Sequence, residues 1–194
     1  MDLVAETVAT QTGMEISERR QIQALASAVR QAIVDVLAAE GPLSAAEIAS
    51  ALGRPADGIY FHLTRLLEVG LIVACRTAAE GRRSMSLYDL PTRPLKLLYS
   101  VDHKMELARV IDTTLRCAGR DFRAGVQQGN LDVAGPTREL WAFRTLGWLS
   151  PQDLTAVNGR LADLIDSFAR PRGNHRSLMG VTAVLAPVSR PQER

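Results

Sequence analysis

Arg54 and Arg65, with Asp57, Tyr60, Phe61 and Thr64 between them, are the side chains of this 194-residue chain whose types and spacing best suit recognition chemistry. A guanidinium fork can bond both acceptors on a guanine edge, and an aromatic edge can lie against a thymine methyl. If the segment between Pro55 and Gly70 is helical, Ile59, Leu63 and Leu66 share one side. Asp57, Phe61, Thr64 and Arg65 then lie opposite, with Tyr60 on the flank and Arg54 at the helix start. Isolated arginines are ordinary on a solvated surface, but an outward phenylalanine beside them is not. A second pair, Arg82 and Arg83, ends the run Ala79-Glu80-Gly81, where side chains can neutralise phosphates or enter a minor groove.

Other chemistries lack their residues. No glycine-rich phosphate loop, G-x-S-x-G elbow or H-E-x-x-H pair occurs, so neither an enzymatic activity nor a cofactor is expected. Cys75 and Cys117 fall in separate predicted elements and suit packing better than nucleophilic attack. A thiolate metal sensor needs clustered cysteines, and His103 and His175 are remote from His62, so no metal site is expected. His62 reads as a packed or hydrogen-bonded residue at the margin of the buried stripe.

The elements that would position these residues are legible around them. Ser44 and Glu47 have capping-box spacing, in which each side chain satisfies an orphan backbone donor of the other. Ala46, Ile48, Ala49 and Leu52 suit a two-turn helix that Gly53 ends. Pro55 is preset for the first turn of a second helix, and Gly70 stops that one. Two short helices across a tight glycine turn describe a helix-turn-helix, whose second helix enters the major groove. Leu71 to Arg76 and Ser84 to Leu90 read as strands joined by the arginine-bearing turn. Upstream, Ser17 to Ala39 reads as one helix with Leu25, Val29, Ile33, Val36 and Leu37 on a stripe, ended by Gly41-Pro42. Residues 1 to 15 show no period.

A hairpin directly after a recognition helix is the wing of a winged helix-turn-helix. With Leu25-Ala26-Ser27-Ala28-Val29-Arg30-Gln31-Ala32-Ile33 before it, and Ile59-Tyr60-Phe61-His62-Leu63, Leu66 and Gly70-Leu71-Ile72 within it, the chain resembles the ArsR-like family of bacterial transcriptional regulators. The resemblance covers roughly residues 17 to 90. It implies a DNA-binding regulator, although metal sensors of that type carry a cysteine pair near the recognition region that is missing here.

Pro91 and Pro94 bracket a linker. Beyond it, Val101 to Gln127 reads as a long helix with Met105, Ile111, Leu115 and Phe122 on one strip and Leu107 and Val110 widening it. A helix covering only its own core needs one strip, so these six residues are the candidate dimer contacts. Glu139 to Leu149 and Leu178 to Pro187 read as strands. Ser150-Pro151 starts a helix between them. Trp141, Phe143 and Trp148 are candidates for a small-molecule pocket, with core packing as their alternative role.

A hydrophobic share of 46% and a charged share of 23% suit a globular protein and exclude a disordered chain. No apolar run approaches the roughly 20 residues of a bilayer span, and the start lacks a secretory signal pattern. A cytoplasmic setting without membrane contact is expected. The net charge of +2 hides an asymmetry: residues 1 to 90 carry 8 Lys and Arg against 11 Asp and Glu, and residues 91 to 194 carry 15 against 10. Basic domains are the usual footprint of DNA binding, so the acidic first half counts against it.

The expected fold class is α+β, mainly helical: an N-terminal arm (1–16), a winged helix-turn-helix (17–92) and a C-terminal helix and strand region for dimerisation or effector binding (93–194). The expected function is a homodimeric regulator that reads a roughly palindromic site on double-stranded DNA, with the existence of a small-molecule effector left open by the sequence. The alternatives are a winged-helix module that binds protein instead, or a ligand-binding domain with an accessory winged helix.

Overall fold

A computed structural model describes residues 13–76, 86–127, 131–168 and 177–188. The elements run β1 (Met14–Ile16), α1 (Arg19–Leu25), α2 (Ala28–Glu40), β2 (Leu43–Ser44), α3 (Ala45–Ala51), α4 (Asp57–Glu68), β3 (Val73–Arg76), β4 (Ser86–Asp89), β5 (Leu95–Leu97), a 3-10 turn (Val101–His103), α5 (Lys104–Gln127) and α6 (Pro151–Phe168). This is the expected mainly helical α+β class. β4 lies between β2 and β3 in an antiparallel sheet, with Leu87 opposite both Ser44 and Cys75.

The helix-turn-helix is built by the devices that its sequence advertises. The Ser44 hydroxyl accepts from the Glu47 amide at 3.2 Å, and the Glu47 carboxylate accepts from the Ser44 amide at 2.8 Å, closing the capping box. Gly53, at φ 60°, turns the chain so that the Arg54 amide reaches back to the Ala49 carbonyl at 2.9 Å. Regular helix then begins at Asp57 rather than at Pro55, which instead accepts from the Gly58 amide at 3.2 Å in the turn before it. Gly70, at φ 70°, ends α4, and the Leu71 amide bonds the Leu66 carbonyl at 3.0 Å.

One apolar cluster holds these pieces. Ile22 of α1, Ile33 and Leu37 of α2, Ile48 of α3, Ile59, Leu63 and Leu66 of α4, and Leu71 and Ile72 beyond it are essentially removed from solvent. Burying each such side chain contributes about 1.5–3 kcal/mol before the entropy of ordering is counted.

The first helix differs from its reading. Ser17 to Ala39 is not one helix: α1 and α2 meet at Ala26 and Ser27 with their axes 94° apart. The carbonyls freed by that break are satisfied by side chains. Arg30 Nε donates to Ala24 O, Gln31 Nε2 to Leu25 O at 2.7 Å, and Thr113 of α5 to Ala26 O at 3.3 Å. The corner brings Ile22 and Leu25 of α1 onto the same core as Ile33 and Leu37 of α2.

The arm also differs. Its end, Met14 to Ile16, is a strand parallel to β5, with Met14 opposite Leu95 and Ile16 opposite Leu97. Ile16 is buried, so the arm and the linker beyond residue 92 together close the winged helix-turn-helix. Arg93, which no motif marks, donates Nη2 to the Leu37 carbonyl at 2.7 Å and pairs with Asp89, tying that linker to the C-terminus of α2.

In the second half, α5 follows the expected span but sorts its two strips. Leu107 and Val110 are buried against α1 and α2, so they belong to the core rather than to a dimer contact. Met105, Leu115 and Phe122 are exposed by 66%, 48% and 41%, and Ile111 is half-buried. α6 starts at Pro151 with Ser150 accepting from the Asp153 amide at 3.2 Å, but it buries none of its side chains. Residues 139–149 and 178–187 form no strand, because no partner strand lies beside them among the described residues.

Gln31 is the joint between this second half and the first. Buried, it donates to Leu25 O and to Val110 O at 3.2 Å, and accepts from Thr114 Oγ1 at 3.2 Å. Gln31→Leu keeps the volume but takes the side-chain donor from Leu25 O, while Thr114 Oγ1 and Val110 O keep their own bond at 3.0 Å, so urea unfolding should report a loss of about 1–3 kcal/mol. A loss below about 0.5 kcal/mol, the scale of a neutral surface change, would contradict this role.

Candidate nucleic-acid interface

The inner side of α4 leaves its outer side no freedom of orientation. Ile59, Leu63 and Leu66 are buried to within 1% of complete, so rotating the helix about its axis would expose them. Opposite them, Tyr60 and Phe61 stand 53% and 66% exposed, and Asp57, Thr64 and Arg65 are exposed as well. Thr64 returns its hydroxyl to the Tyr60 carbonyl at 3.0 Å, leaving its methyl outward. Arg54 is exposed in the turn between α3 and α4. The six residues read from the sequence in this segment therefore share one accessible side of the helix-turn-helix. Arg82 and Arg83 lie outside the described residues.

Two further basic groups join that side. Arg30 of α2 is half-buried, and its pKa is lowered by burial and then by the charge of Arg65. His62 is half-buried too, its pKa lowered by burial, then by Arg30 and then by Arg54. Arg30 thus lies within the field of Arg65, and His62 within the fields of Arg30 and Arg54. Sequence inspection misses Arg30 because nothing local marks it. It nears Arg65 because α2 packs against α4. The nearest sequence signal is its place beside Gln31 at the α1–α2 corner.

Of the two roles expected for His62, packed or hydrogen-bonded, it takes the first. Its Nδ1 is buried without a partner, while its ring meets Phe61 edge-on at 5.5 Å. An unbonded ring nitrogen near Arg30 and Arg54 favours the neutral imidazole.

The acidic balance of the first 90 residues weighs less once the acids are placed. Glu47 is held in the capping box, where its bonds to Ser44 lower its pKa, and Asp89 is paired with Arg93. Glu68 does meet Arg65, at 2.6 Å, but both side chains are half or more exposed. Such a solvated pair contributes about 0–1 kcal/mol and yields readily to a phosphate or a base edge. Asp57, in the first turn of α4, complements the helix dipole and can accept from a cytosine amino group.

Among the described residues, the aromatic side chains of the second half stand largely in solvent. Trp141, Phe143 and Trp148 are exposed by 66%, 82% and 87%, so none lines an enclosed pocket. The Arg138 guanidinium stacks on Trp141 at 4.4 Å.

Residues 25–74, the span from the end of α1 into β3, match a family described as a helix-turn-helix domain. Comparison with curated proteins gives no match. Among solved structures, a double mutant of ZitR from Lactococcus lactis in apo form shares 15% identity at a TM-score of 0.32, covering 74% of this chain and 83% of that one. PadR from Bacillus subtilis in complex with operator DNA shares 17% identity at a TM-score of 0.30, covering 72% of this chain and 94% of its own. At these scores neither likeness bears on function. The chain contains a helix-turn-helix domain, seen in its sequence and in its capped helices alike.

The His62 environment sets a pH dependence with a definite sign. Its folded pKa lies below the ordinary value of 6.5, so the unfolded chain takes up the proton first. Stability should therefore fall as the pH drops below about 6.5, the unperturbed histidine value. Asp35 works in the opposite sense, its pKa pushed up to about 6 by loss of water and by Asp121 against the pull of Arg120. Comparing wild type with His62→Gln cancels the Asp35 part. The variant should gain stability relative to wild type between pH 7 and pH 5 in urea titrations, and a difference that stays constant across that range would contradict the assignment.

Proposed function

We propose that this chain is a sequence-specific DNA-binding transcriptional regulator, acting in the cytoplasm as a homodimer on a roughly palindromic operator. The observation that carries the proposal is the exposure of Arg54, Tyr60, Phe61 and Arg65 on the helix-turn-helix, with half-buried Arg30 and His62 close enough to feel the arginine charges. Arginines supply bidentate contacts to guanine and charge against phosphate, and the aromatic pair supplies apolar surface for thymine methyls. Arg82 and Arg83 would add backbone contacts from the wing.

The homodimer is supported by the outer strip of α5. Met105, Leu115 and Phe122 stay exposed after Leu107 and Val110 have been used for the core. Self-pairing of that strip across a twofold axis would remove it from water and set the separation of two recognition helices.

A second reading, a winged helix that docks on a protein, draws on the same exposed Tyr60 and Phe61 and on the acidic excess of residues 1 to 90. It requires Arg65 to be dispensable for DNA.

Arg65→Ala separates the two. If the side chain reads a base, competition between specific and scrambled duplexes should show a loss of about 1–3 kcal/mol confined to the specific site. An equal loss on both duplexes would make it a phosphate contact, and no loss on either would favour protein docking.

For the dimer, Leu115→Glu puts a charge on an exposed position and should leave the monomer folded by circular dichroism. Light scattering should then report a monomer, with weakened operator binding. Wild-type protein that is already monomeric at micromolar concentration would contradict the dimer.

A further inference from the structure

Between α2, the turn after α3 and the C-terminal half of α5 lies a cleft of about 300 Å³, at the lower end of the roughly 300–1,000 Å³ typical of ligand pockets. Its floor is small and apolar: Ala28, Val29 and Ala32 of α2 with Ala51 and Leu52 of the α3 end. Alanines there leave the gap that longer aliphatic residues would fill. Two arginines complete the lining, Arg54 from the turn and Arg120 from α5. The Arg54 guanidinium makes no hydrogen bond or ion pair among the described residues. Arg120 is engaged by its exposed neighbour Asp121 at 2.8 Å.

The two halves of this lining ask for different things from an occupant. An inorganic anion would leave the alanine floor unused, and a neutral apolar molecule would leave two guanidinium groups without a counter-charge. A carboxylate on a one- or two-ring apolar body satisfies both, with the rings on the floor and the carboxylate between the arginines. Asp35 lies one turn beyond Ala32 on α2 and shares its field with Arg120 and Asp121. Its pKa is pushed up to about 6, so it stays mostly ionised at neutral pH and binding of an anion should strengthen as the pH falls towards 6.

We propose that this cleft binds a small organic carboxylate with an apolar body, and that the occupant draws Arg54 away from DNA. The second clause rests on the regulator reading above. The first does not. Arg54 stands between the two surfaces, so an anion in the cleft and a phosphate on the outer side compete for one guanidinium. Each ligand then weakens the other by the same factor.

Calorimetric titration of the full chain without DNA tests the site itself, using 1-naphthoate as probe and 1-naphthamide as its uncharged counterpart. Naphthoate should bind saturably, and loss of the charge in naphthamide should weaken binding about ten-fold or more. Arg120→Gln, a surface change that spares the core, should weaken naphthoate to a similar degree. Ala32→Phe should fill the floor and abolish binding, its fold checked by circular dichroism. Absence of saturable binding at millimolar concentration, equal binding of acid and amide, or an unchanged Arg120→Gln variant would each overturn the site. Coupling is read separately: naphthoate should weaken DNA binding by wild type but not by Arg120→Gln. Binding in the cleft with no effect on a protein that does bind DNA would overturn the Arg54 link alone.

Discussion

Everything on the proposed interface depends on the burial of one side of α4. Ile59, Leu63 and Leu66 pack with Ile33, Leu37 and Ile48 so completely that the helix has one orientation available to it. A protein interior at near-crystalline density turns small rotations into cavities and overlaps, each costing about 1–3 kcal/mol. The side chains opposite, from Tyr60 to Arg65, are therefore presented as a rigid set. Preorganisation of this kind reduces the side-chain ordering that binding would otherwise require.

Charge placement follows from the same packing. Arg30 nears Arg65 from α2, which packs on α4 and leaves α1 at 94°, and at that corner Arg30, Gln31 and Thr113 satisfy the carbonyls that it frees. Meanwhile the acids that make the first half formally negative are partly spent on architecture. Glu47 caps α3, and Asp89 with Arg93 closes the end of α2. A net charge summed over a segment takes no account of which groups are committed inside it.

The legible parts of the fold were those governed by local rules. Ser44 with Glu47, Gly53, Gly70 and Ser150-Pro151 each announce a backbone event within four residues, and each event occurs where announced. Tyr60, Phe61, Thr64 and Arg65 are exposed as helical periodicity requires. What periodicity cannot supply is which long-range partner completes an element. The corner at Ala26 needs donors from Arg30, Gln31 and Thr113, the last 87 residues away. The strand at Met14 needs Leu95. Leu107 and Val110 look like surplus apolar surface on α5 until the α1–α2 corner is there to receive them. The aromatic segment around Trp141 reads as a strand for the opposite reason: its residue types favour pairing, but pairing also needs a neighbour.

The central claim is that the outer side of α4, two copies at a time, reads base edges in DNA. Selection of random duplex DNA by the purified chain, followed by sequencing, tests it most directly. The account predicts an enriched, roughly palindromic motif whose half-sites lie about one helical turn, or about 10 base pairs, apart or a multiple of it. Recovery of duplexes with no shared motif, at an affinity that merely tracks ionic strength, would contradict it.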